Sequence, residues 1–419
     1  MQKPGLFSSS KEFVWFYVFL MALLLVHLTF TYYSYQDFIV KPFYYTYAKV
    51  ITSYEKSKNN KRYRVLKLKS EEGFTFYTTT HRKETFNHKR LRLQIFPNES
   101  IKFRDYLGTF YVKSKIKHQE KEDVTFKKSM LDTVASQHKS IALQSFYNAI
   151  FFATALDKNL REQIAKLGIS HLVALSGFHL GILWGLVYGV LLLFYRPLQQ
   201  KFFPYRYALL DVGLVAMLLL GVYVWFVDFP PSLVRAYAMV LVGWGVLLLG
   251  MELFSFTFLT TVLLLLVVLF PSLLVSLSFW LSVTGVFYIF LLLHYTKHYN
   301  KWIVSFGVIP LGIFVLMLPV VHGIFAVTSP YQLLSPFLSI LFVPFYPLMM
   351  LLHLLGIGNL CDNSLLWIFS LPQESKERLL PLWAVVGYIL LSIGAIWQKK
   401  LFYVVVGLAL MYGIYLFVG

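Results

Sequence analysis

Ser176 and His179 are the two side chains best placed for chemistry, within the segment His171–Gly181, HLVALSGFHLG. A separation of three residues puts both on one face of a helix, where they can hydrogen-bond each other or a phosphate oxygen. The pair also matches a serine nucleophile with its base, but no oxyanion-hole sequence or third residue accompanies it. The structural alternative is an interhelical hydrogen bond, with Gly177 and Gly181 allowing close helix packing.

Arg235 lies near the end of an apolar stretch, in the segment Pro230–Ala236, PPSLVRA. Burying an arginine at the centre of a membrane helix costs about 2.5 to 3.5 kcal/mol, so its presence favours a functional role. The alternative is that the side chain reaches to the lipid headgroups.

A basic segment between Lys41 and Lys139 holds most of the formal net charge of +18. Such an excess predicts a polyanionic partner, either nucleic acid or anionic lipid. The candidate binding residues are Lys61, Arg62, Arg64, Lys67, Arg90 and Arg92. Nearby aromatic side chains can stack on bases, although strand aromatics are more often core: Tyr63, Phe74, Phe76, Tyr77, Phe96 and Phe103. A solvated face against anionic lipid is the alternative.

Cofactor and metal sites are not expected. Cys361 is the only cysteine, and no Cys/His spacing resembles a metal site. The sequence also lacks a Gly-x-x-x-x-Gly-Lys-Ser/Thr phosphate loop, which excludes an ATP-driven motor of that type.

The elements that position these residues are mostly membrane helices, since 58% of residues are hydrophobic and the mean hydropathy is +0.63. We expect a polytopic α-helical membrane protein with about ten hydrophobic segments, beginning with a retained anchor at Val14–Phe30. The others are His171–Tyr195, Tyr207–Phe226, Ser232–Gly250, Leu253–Phe270, Ser272–Leu293, Trp302–Val321, Leu333–Leu355, Pro381–Trp397 and Leu401–Phe417.

The stretch Tyr47–Ile116 alternates with period two and contains turn clusters. About five short strands of this kind predict a small all-β, OB-like soluble domain. After it, Ile141–Leu160 is predicted to be an amphipathic helix at the membrane interface, followed by a second helical stretch at Leu160–Leu167.

Positive charge in short loops predicts the orientation of the spans. The charged loops contain Arg196, Lys201 and Arg206; Lys297 and Lys301; and Lys399 and Lys400. We place all three in the cytoplasm and the soluble domain outside. Three hydrophobic segments separate the last two loops, so one of them should not cross. Leu333–Leu355 is predicted to be broken or re-entrant because it contains Pro336, Pro344 and Pro347.

Three segments, taken in order, resemble the ComEC competence-protein family. Ser176, Gly177, His179 and Gly181 match its Ser-Gly-x-His-x-Gly helix, Pro230–Ala236 its Ser-x-x-Arg-Ala segment, and Phe270–Ser282 its Ser-Pro-x-Phe-Gln-Leu-Ser segment. The last match departs at Leu277 and Trp280, where the family has Pro and Gln. The resemblance implies a channel for single-stranded DNA in the inner membrane during natural transformation, and no enzymatic activity. The implied DNA path includes Ser176, Gly177, His179, Gly181, Ser232, Arg235, Ser276 and Ser282.

The resemblance also implies a domain plan and partners. Residues 1–36 form a tail and anchor, 37–120 an extracytoplasmic OB-like barrel, 121–170 linker helices and 171–419 the channel domain. The metallo-β-lactamase-like domain of many members, with its His-x-His-x-Asp-His motif, is not in this sequence, so a separate nuclease is expected if the second strand is degraded. An external DNA-binding protein and a cytoplasmic helicase or single-strand-binding protein are the other expected partners. The alternatives are a transporter for another anionic polymer or lipid-linked glycan and, remotely, an intramembrane serine hydrolase.

Overall fold

A computed structural model describes residues 10–418 apart from 59–60, 83, 85, 87–88, 121–125, 249–254 and 373. Its described residues form two compact units. The sheet unit contains the described residues of 10–126 together with Thr260–Leu277. The helical unit contains Lys127–Leu259 and the described residues from Ser278 onward.

The sheet unit is built on six strands. They are β1 (Tyr44–Lys58), β2 (Lys61–Ser70), β3 (Thr75–Thr80), β4 (Arg90–Phe96), β5 (Thr109–Tyr111) and β6 (Lys113–Gln119). Their order in the sheet is β5-β3-β2-β1-β4-β6, and only the β3–β5 pair is parallel. Val112 alone separates the two outermost strands, and its N–H donates to the Tyr77 carbonyl at 2.9 Å. Alternation therefore predicted the strands well, although the last one is interrupted and the sheet is mixed.

Alternating residues of these strands form the core of the sheet. Leu66 and Leu68 of β2, Phe76 of β3 and Leu91 and Leu93 of β4 are all fully buried. Period-two alternation places such residues on one face, which leaves the intervening basic residues on the other. The burial of Phe76 agrees with the expectation that most strand aromatics are core residues and excludes it from base stacking.

The first helix, α1 (Ser10–Val40), extends well beyond the predicted anchor. Its Tyr17 hydroxyl lies 2.9 Å from the Thr261 hydroxyl of α10 (Phe256–Leu269). Its last turn inserts Phe38 into the sheet core, where the ring lies 5.4 Å from Phe74 and 5.6 Å from Phe110. The anchor and the sheet therefore form one packed unit.

Most of the described chain is helical. Besides α1 and α10, the helices are α2 (Phe103–Leu107), α3 (Phe126–Ser136), α4 (Ile141–Phe152), α5 (Lys158–Lys166), α6 (Ser170–Val173), α7 (Gly177–Phe202), α8 (Ala208–Phe226), α9 (Pro231–Leu248), α11 (Leu277–Tyr295), α12 (Lys301–Ile303), α13 (Ile309–His322), α14 (Ser335–Leu354), α15 (Asp362–Ser370), α16 (Leu382–Gly394) and α17 (Lys399–Val418). The helical unit also contains a two-stranded sheet, β7 (Val327–Thr328) with β8 (Lys376–Glu377).

Seven described helical segments are long and apolar enough to cross a membrane. They are Lys11–Val40, Gly177–Phe202, Ala208–Phe226, Leu277–Tyr295, Lys301–His322, Pro330–Leu354 and Lys399–Val418. Four further apolar helices, α9 and α10 among them, are shorter than a full membrane span as described. The number of full-length spans among the described residues is therefore lower than the predicted number of about ten segments. The predicted spans Ser232–Gly250 and Leu253–Phe270 each have one end outside the described residues.

The predicted break in Leu333–Leu355 is wrong. Helix α14 runs without interruption through Pro344 and Pro347, after a single 3₁₀ turn at Pro330–Leu334. Proline is tolerated inside apolar helices because neighbouring helices can satisfy the freed carbonyls. Pro336 lies in the first turn, where a proline removes no intrahelical hydrogen bond.

Helix α4 differs from the one-sided amphipathic helix that the sequence predicted. Seven of its 12 residues are buried, including Phe146, Tyr147 and Ile150. It ends at Ala153, which adopts the left-handed conformation (φ 59°), well before the predicted end at Leu160. The helix is thus part of the core, and the second stretch begins separately at Lys158, where the Asp157 side chain caps α5.

Candidate functional site

The Ser176–His179 pair begins helix α7. Ser176 is extended (φ −141°, ψ 179°) and is the N-cap, so its backbone N–H has no partner within the helix. That N–H donates to Nδ1 of His179 at 3.3 Å, and the Ser176 hydroxyl lies 3.2 Å from the same nitrogen. Because a backbone N–H can only donate, Nδ1 is an acceptor and the ring proton of the neutral imidazole is on Nε2.

Helix α14 covers the His179 ring. Phe342 and Tyr346 lie with their ring centres 5.1 and 4.9 Å from it, both nearly perpendicular. The His179 side chain is fully buried, and its Nε2 makes no hydrogen bond of ordinary geometry with a described residue. The Tyr346 hydroxyl is 3.4 Å from that of Tyr223 on α8, which donates to the Phe151 carbonyl at 2.9 Å.

Helix α9 packs directly against the start of α7. The Ser232 hydroxyl donates to the Leu175 carbonyl at 2.7 Å. A Cβ atom placed on Gly177 would lie only 3.1 Å from the Ala236 Cβ, so the absence of a side chain at Gly177 permits this close approach. A Cβ atom on Gly181 would meet no described atom within 4 Å, so the alternative of close helix packing does not apply at this glycine.

Arg235 is buried one turn further along α9, with 7% of its surface exposed. Its Nη2 donates to the Ser278 hydroxyl of α11 at 3.1 Å. The guanidinium carbon lies 5.6 Å from the centre of the Phe279 ring, which is a cation–π arrangement. The side chain is therefore held within the helical unit.

The predicted path residues divide into three groups. Those at the start of α7, within α7 or on α9 are Ser176, Gly177, His179, Gly181, Ser232 and Arg235. Ser282 is exposed on α11, one turn beyond Ser278. Ser276 ends the 3₁₀ turn Pro271–Val275 of the sheet unit.

The outer face of β1 and β4 carries alternating arginine and tyrosine side chains. The guanidinium of Arg92 lies 5.8 Å from the centres of both the Tyr45 and Tyr47 rings. Arg90 also lies over Tyr47, at 4.9 Å, but pairs with Glu71 and, at 3.4 Å, with Glu120. Arg92 is thus the more available cation for a phosphate.

The remaining basic candidates lie on β2. Lys67 extends over the Tyr77 ring at 5.8 Å, and burial lowers the pKa of its ammonium group. Arg64 is 3.7 Å from Glu55, and its Nε is buried with no hydrogen-bond partner among the described residues. Glu55 and Arg64 line a cavity of about 410 Å³ together with four neighbours: Arg62, Tyr63, His81 and Arg82. The side chain of Lys61 lies outside the described part of the chain.

Several aromatic predictions are corrected by packing. Phe74 is part of the sheet core and Phe103 packs on Tyr32 of α1, at 5.3 Å. Lys115 lies 5.8 Å from the centre of the Phe96 ring. The sequence reasoning missed Tyr45, 47% exposed beside Arg92, although its alternation with Tyr47 was visible.

The described residues contain no group of three His, Cys, Asp or Glu side chains that could hold a metal ion. The helical unit offers a histidine that caps helix α7, a buried arginine and hydroxyl groups. The sheet unit offers cations beside exposed aromatic rings.

Seven candidate spans and a basic sheet define a multi-pass membrane protein with a charged sheet domain. The family model described as Competence protein matches residues 153–416, which is more than half of the 419-residue chain. The chain belongs to the competence protein family, and membership indicates a role in DNA uptake during transformation. Comparison with curated proteins and with solved structures gives no match.

Proposed function

We propose that the chain is a channel that passes single-stranded DNA across the cytoplasmic membrane, with the sheet domain on the outer side. The family match over residues 153–416 is the observation that carries this proposal, because it extends over most of the helical unit. It also agrees with the three segments that resemble the ComEC family in the sequence.

The sheet domain gathers the strand. Its parallel β3–β5 pair and the single residue between β5 and β6 are compatible with an OB-like barrel, a fold that binds oligonucleotides. Arg92 between Tyr45 and Tyr47 offers a cation for phosphate and rings on which bases can stack. Anionic lipid is the competing ligand for the same charges.

The helical unit then carries the strand without covalent chemistry or a cofactor. Arg235 and the hydroxyl groups around α7 and α9 can bind phosphate oxygens in turn. An external DNA-binding protein delivers the DNA, and a cytoplasmic helicase or single-strand-binding protein draws the strand inward. If the second strand is degraded, a separate nuclease does so.

One observation favours a second candidate, an intramembrane serine hydrolase: the Ser176 hydroxyl is 3.2 Å from His179 Nδ1. That nitrogen already accepts the N-cap N–H, and no described carboxylate contacts Nε2 to orient the ring as a base. The capping interaction accounts for the pair without catalysis. A transporter for another anionic polymer or lipid-linked glycan remains the alternative for the charge pattern.

Gene deletion with compartment-resolved uptake tests the proposal. Labelled DNA should still reach the periplasm, whereas its entry into the cytoplasm should fall to the background of a non-competent strain. Unchanged entry would overturn the channel assignment. Loss of periplasmic DNA would instead place the protein at an earlier step.

A further inference from the structure

A chain of hydrogen bonds joins three titratable side chains of the helical unit, away from the Ser176 site. His138 lies between α3 and α4, His353 lies at the end of α14, and Asp362 begins α15. His138 Nδ1 is 2.9 Å from Asp362 Oδ1, and the Nε2 atoms of the two histidines are 2.8 Å apart. His353 Nδ1 completes the chain at 2.6 Å from the Met349 carbonyl.

These contacts determine the number of protons that the chain must hold. The Met349 carbonyl can only accept, so His353 Nδ1 carries a hydrogen. Neutral His353 then accepts at Nε2, and His138 must donate from its Nε2. The remaining contact, between His138 Nδ1 and Asp362, needs a third hydrogen, whereas two neutral imidazoles supply only two. The bonded geometry therefore requires one additional proton, shared by His138 and Asp362.

The hydrogen-bond chain is weakened if it holds either fewer or more protons than this number. Without the additional proton, a lone pair of His138 Nδ1 faces the Asp362 carboxylate, or one of the other two bonds is lost. A further proton on His353 would set two N–H groups against each other at 2.8 Å. A further proton on Asp362 would remove the charge that stabilises the His138 imidazolium.

The surroundings favour a proton on His138. Its ring is buried and stacks on Tyr147 of α4, with centres 4.4 Å apart and planes 11° from parallel, an arrangement suited to an imidazolium over an aromatic face. The other titratable groups that face the chain are Tyr147 itself and Cys361. Gln137 donates to the His353 carbonyl at 3.0 Å and does not titrate, so it joins the same segments at every pH.

We propose that His138, His353 and Asp362 form a proton-binding site that holds one proton and thereby fastens the α3–α4 junction to the end of α14. Helix α14 also carries Tyr346, which covers His179 two helical turns before His353. Loss or gain of a proton at the site therefore loosens the helix that covers the Ser176–His179 pair. The site is a property of the folded chain and does not depend on what cargo the protein carries.

The test is the midpoint of thermal unfolding of the full-length protein in detergent, from about pH 4 to about pH 10. In alkali the folded state binds more protons than the unfolded chain, so stability falls as the pH rises. In acid the unfolded histidines and carboxylate bind more, so stability falls as the pH drops. Wild type should show a maximum with a decline on each side.

Asp362→Asn separates this proposal from general pH effects. The asparagine amide can donate to His138 Nδ1, which satisfies all three bonds with neutral histidines and no additional proton. The alkaline decline that comes from this site should therefore disappear, while the acid decline remains. Asp132→Asn, at an exposed position of α3, is the matched control and should keep both declines.

His353→Gln provides an independent arm if Asp362→Asn does not fold. Its amide cannot be protonated in this range, so the acid decline should become shallower than in wild type. The proposal is overturned if Asp362→Asn keeps the wild-type alkaline decline, or if His353→Gln keeps the wild-type acid decline.

Discussion

At the scale of single residues, the burial of the charged Arg235 side chain most needs a physical explanation. Its guanidinium donates to the Ser278 hydroxyl and lies over the Phe279 ring. Removing a charged group from water is expensive unless its partners compensate. A phosphate oxygen pair is the ligand that a planar guanidinium recognises best, which makes Arg235 the first residue to test.

Arg235→Ala should lower entry of labelled single-stranded DNA into the cytoplasm by about tenfold or more, since a charge-assisted hydrogen bond contributes about 1.5 to 3 kcal/mol. Arg235→Lys should restore entry only in part, because it keeps the charge and loses the planar fork. Ser278→Ala is the control that removes one neutral partner of Arg235 and keeps the cation. Wild-type entry in Arg235→Ala, at equal protein abundance, would assign the residue a structural role.

Ser176→Ala belongs to the same experiment because it separates a channel from a hydrolase. In a channel the variant loses one hydrogen bond of about 0.5 to 1.5 kcal/mol and should be impaired only a few-fold. A hydrolase would lose its nucleophile, so abolished activity with normal abundance would favour that alternative.

The residue types of the site were predictable from the sequence, but their partners were not. Ser176 and His179 are three residues apart, so helical spacing alone predicted their contact. Tyr346 and Ser278 reach the site from helices far along the chain. Such contacts depend on tertiary packing, on which hydrophobic periodicity carries no information.

At the scale of elements, the contact between α7 and α9 sets the geometry of the candidate path. It depends on Gly177, whose missing side chain leaves room for Ala236. Small residues let membrane helices approach closely, because van der Waals packing rather than hydrophobic burial drives their association. Gly181, the other glycine considered for close helix packing, has open space beside it.

Gly177→Ala should therefore destabilise the purified protein by about 1 to 3 kcal/mol, the usual cost of overpacking. Gly181→Ala is the matched control on the same helix and should be neutral or slightly stabilising, since alanine favours helix over glycine. Thermal unfolding in detergent at one pH measures both. Equal midpoints for the two variants would show that α7 and α9 are not in tight contact at Gly177.

Element types were predicted better than element continuity. Alternation gave β1 to β4, but Val112 divides the last strand into β5 and β6. Three prolines suggested a broken helix where α14 is continuous, because neighbouring helices can supply what a proline removes. Local sequence rules describe an isolated segment and miss the compensation that surrounding elements provide.

At the scale of the whole molecule, the predicted orientation in the membrane depends on the charged residues of the loops. The local structure of the loops does not determine it. Short loops rich in lysine and arginine predict the cytoplasmic side, among them the loop containing Tyr299 and Lys301. The sheet domain carries a large positive charge of its own, but it is too long to follow that rule. The prediction that it lies outside the cytoplasm therefore depends on the short loops alone.

Cysteine labelling tests this orientation directly, because Cys361 is the only native cysteine and Cys361→Ser gives a background without thiols. Glu99→Cys, at an exposed turn after β4, should react with a membrane-impermeant maleimide in intact spheroplasts. Tyr299→Cys, 65% exposed in the native chain, should react only after permeabilisation. The reverse pattern would place the basic sheet in the cytoplasm. Its arginine and tyrosine face would then meet DNA after translocation, so the sheet domain would be a receiver of the strand rather than its collector.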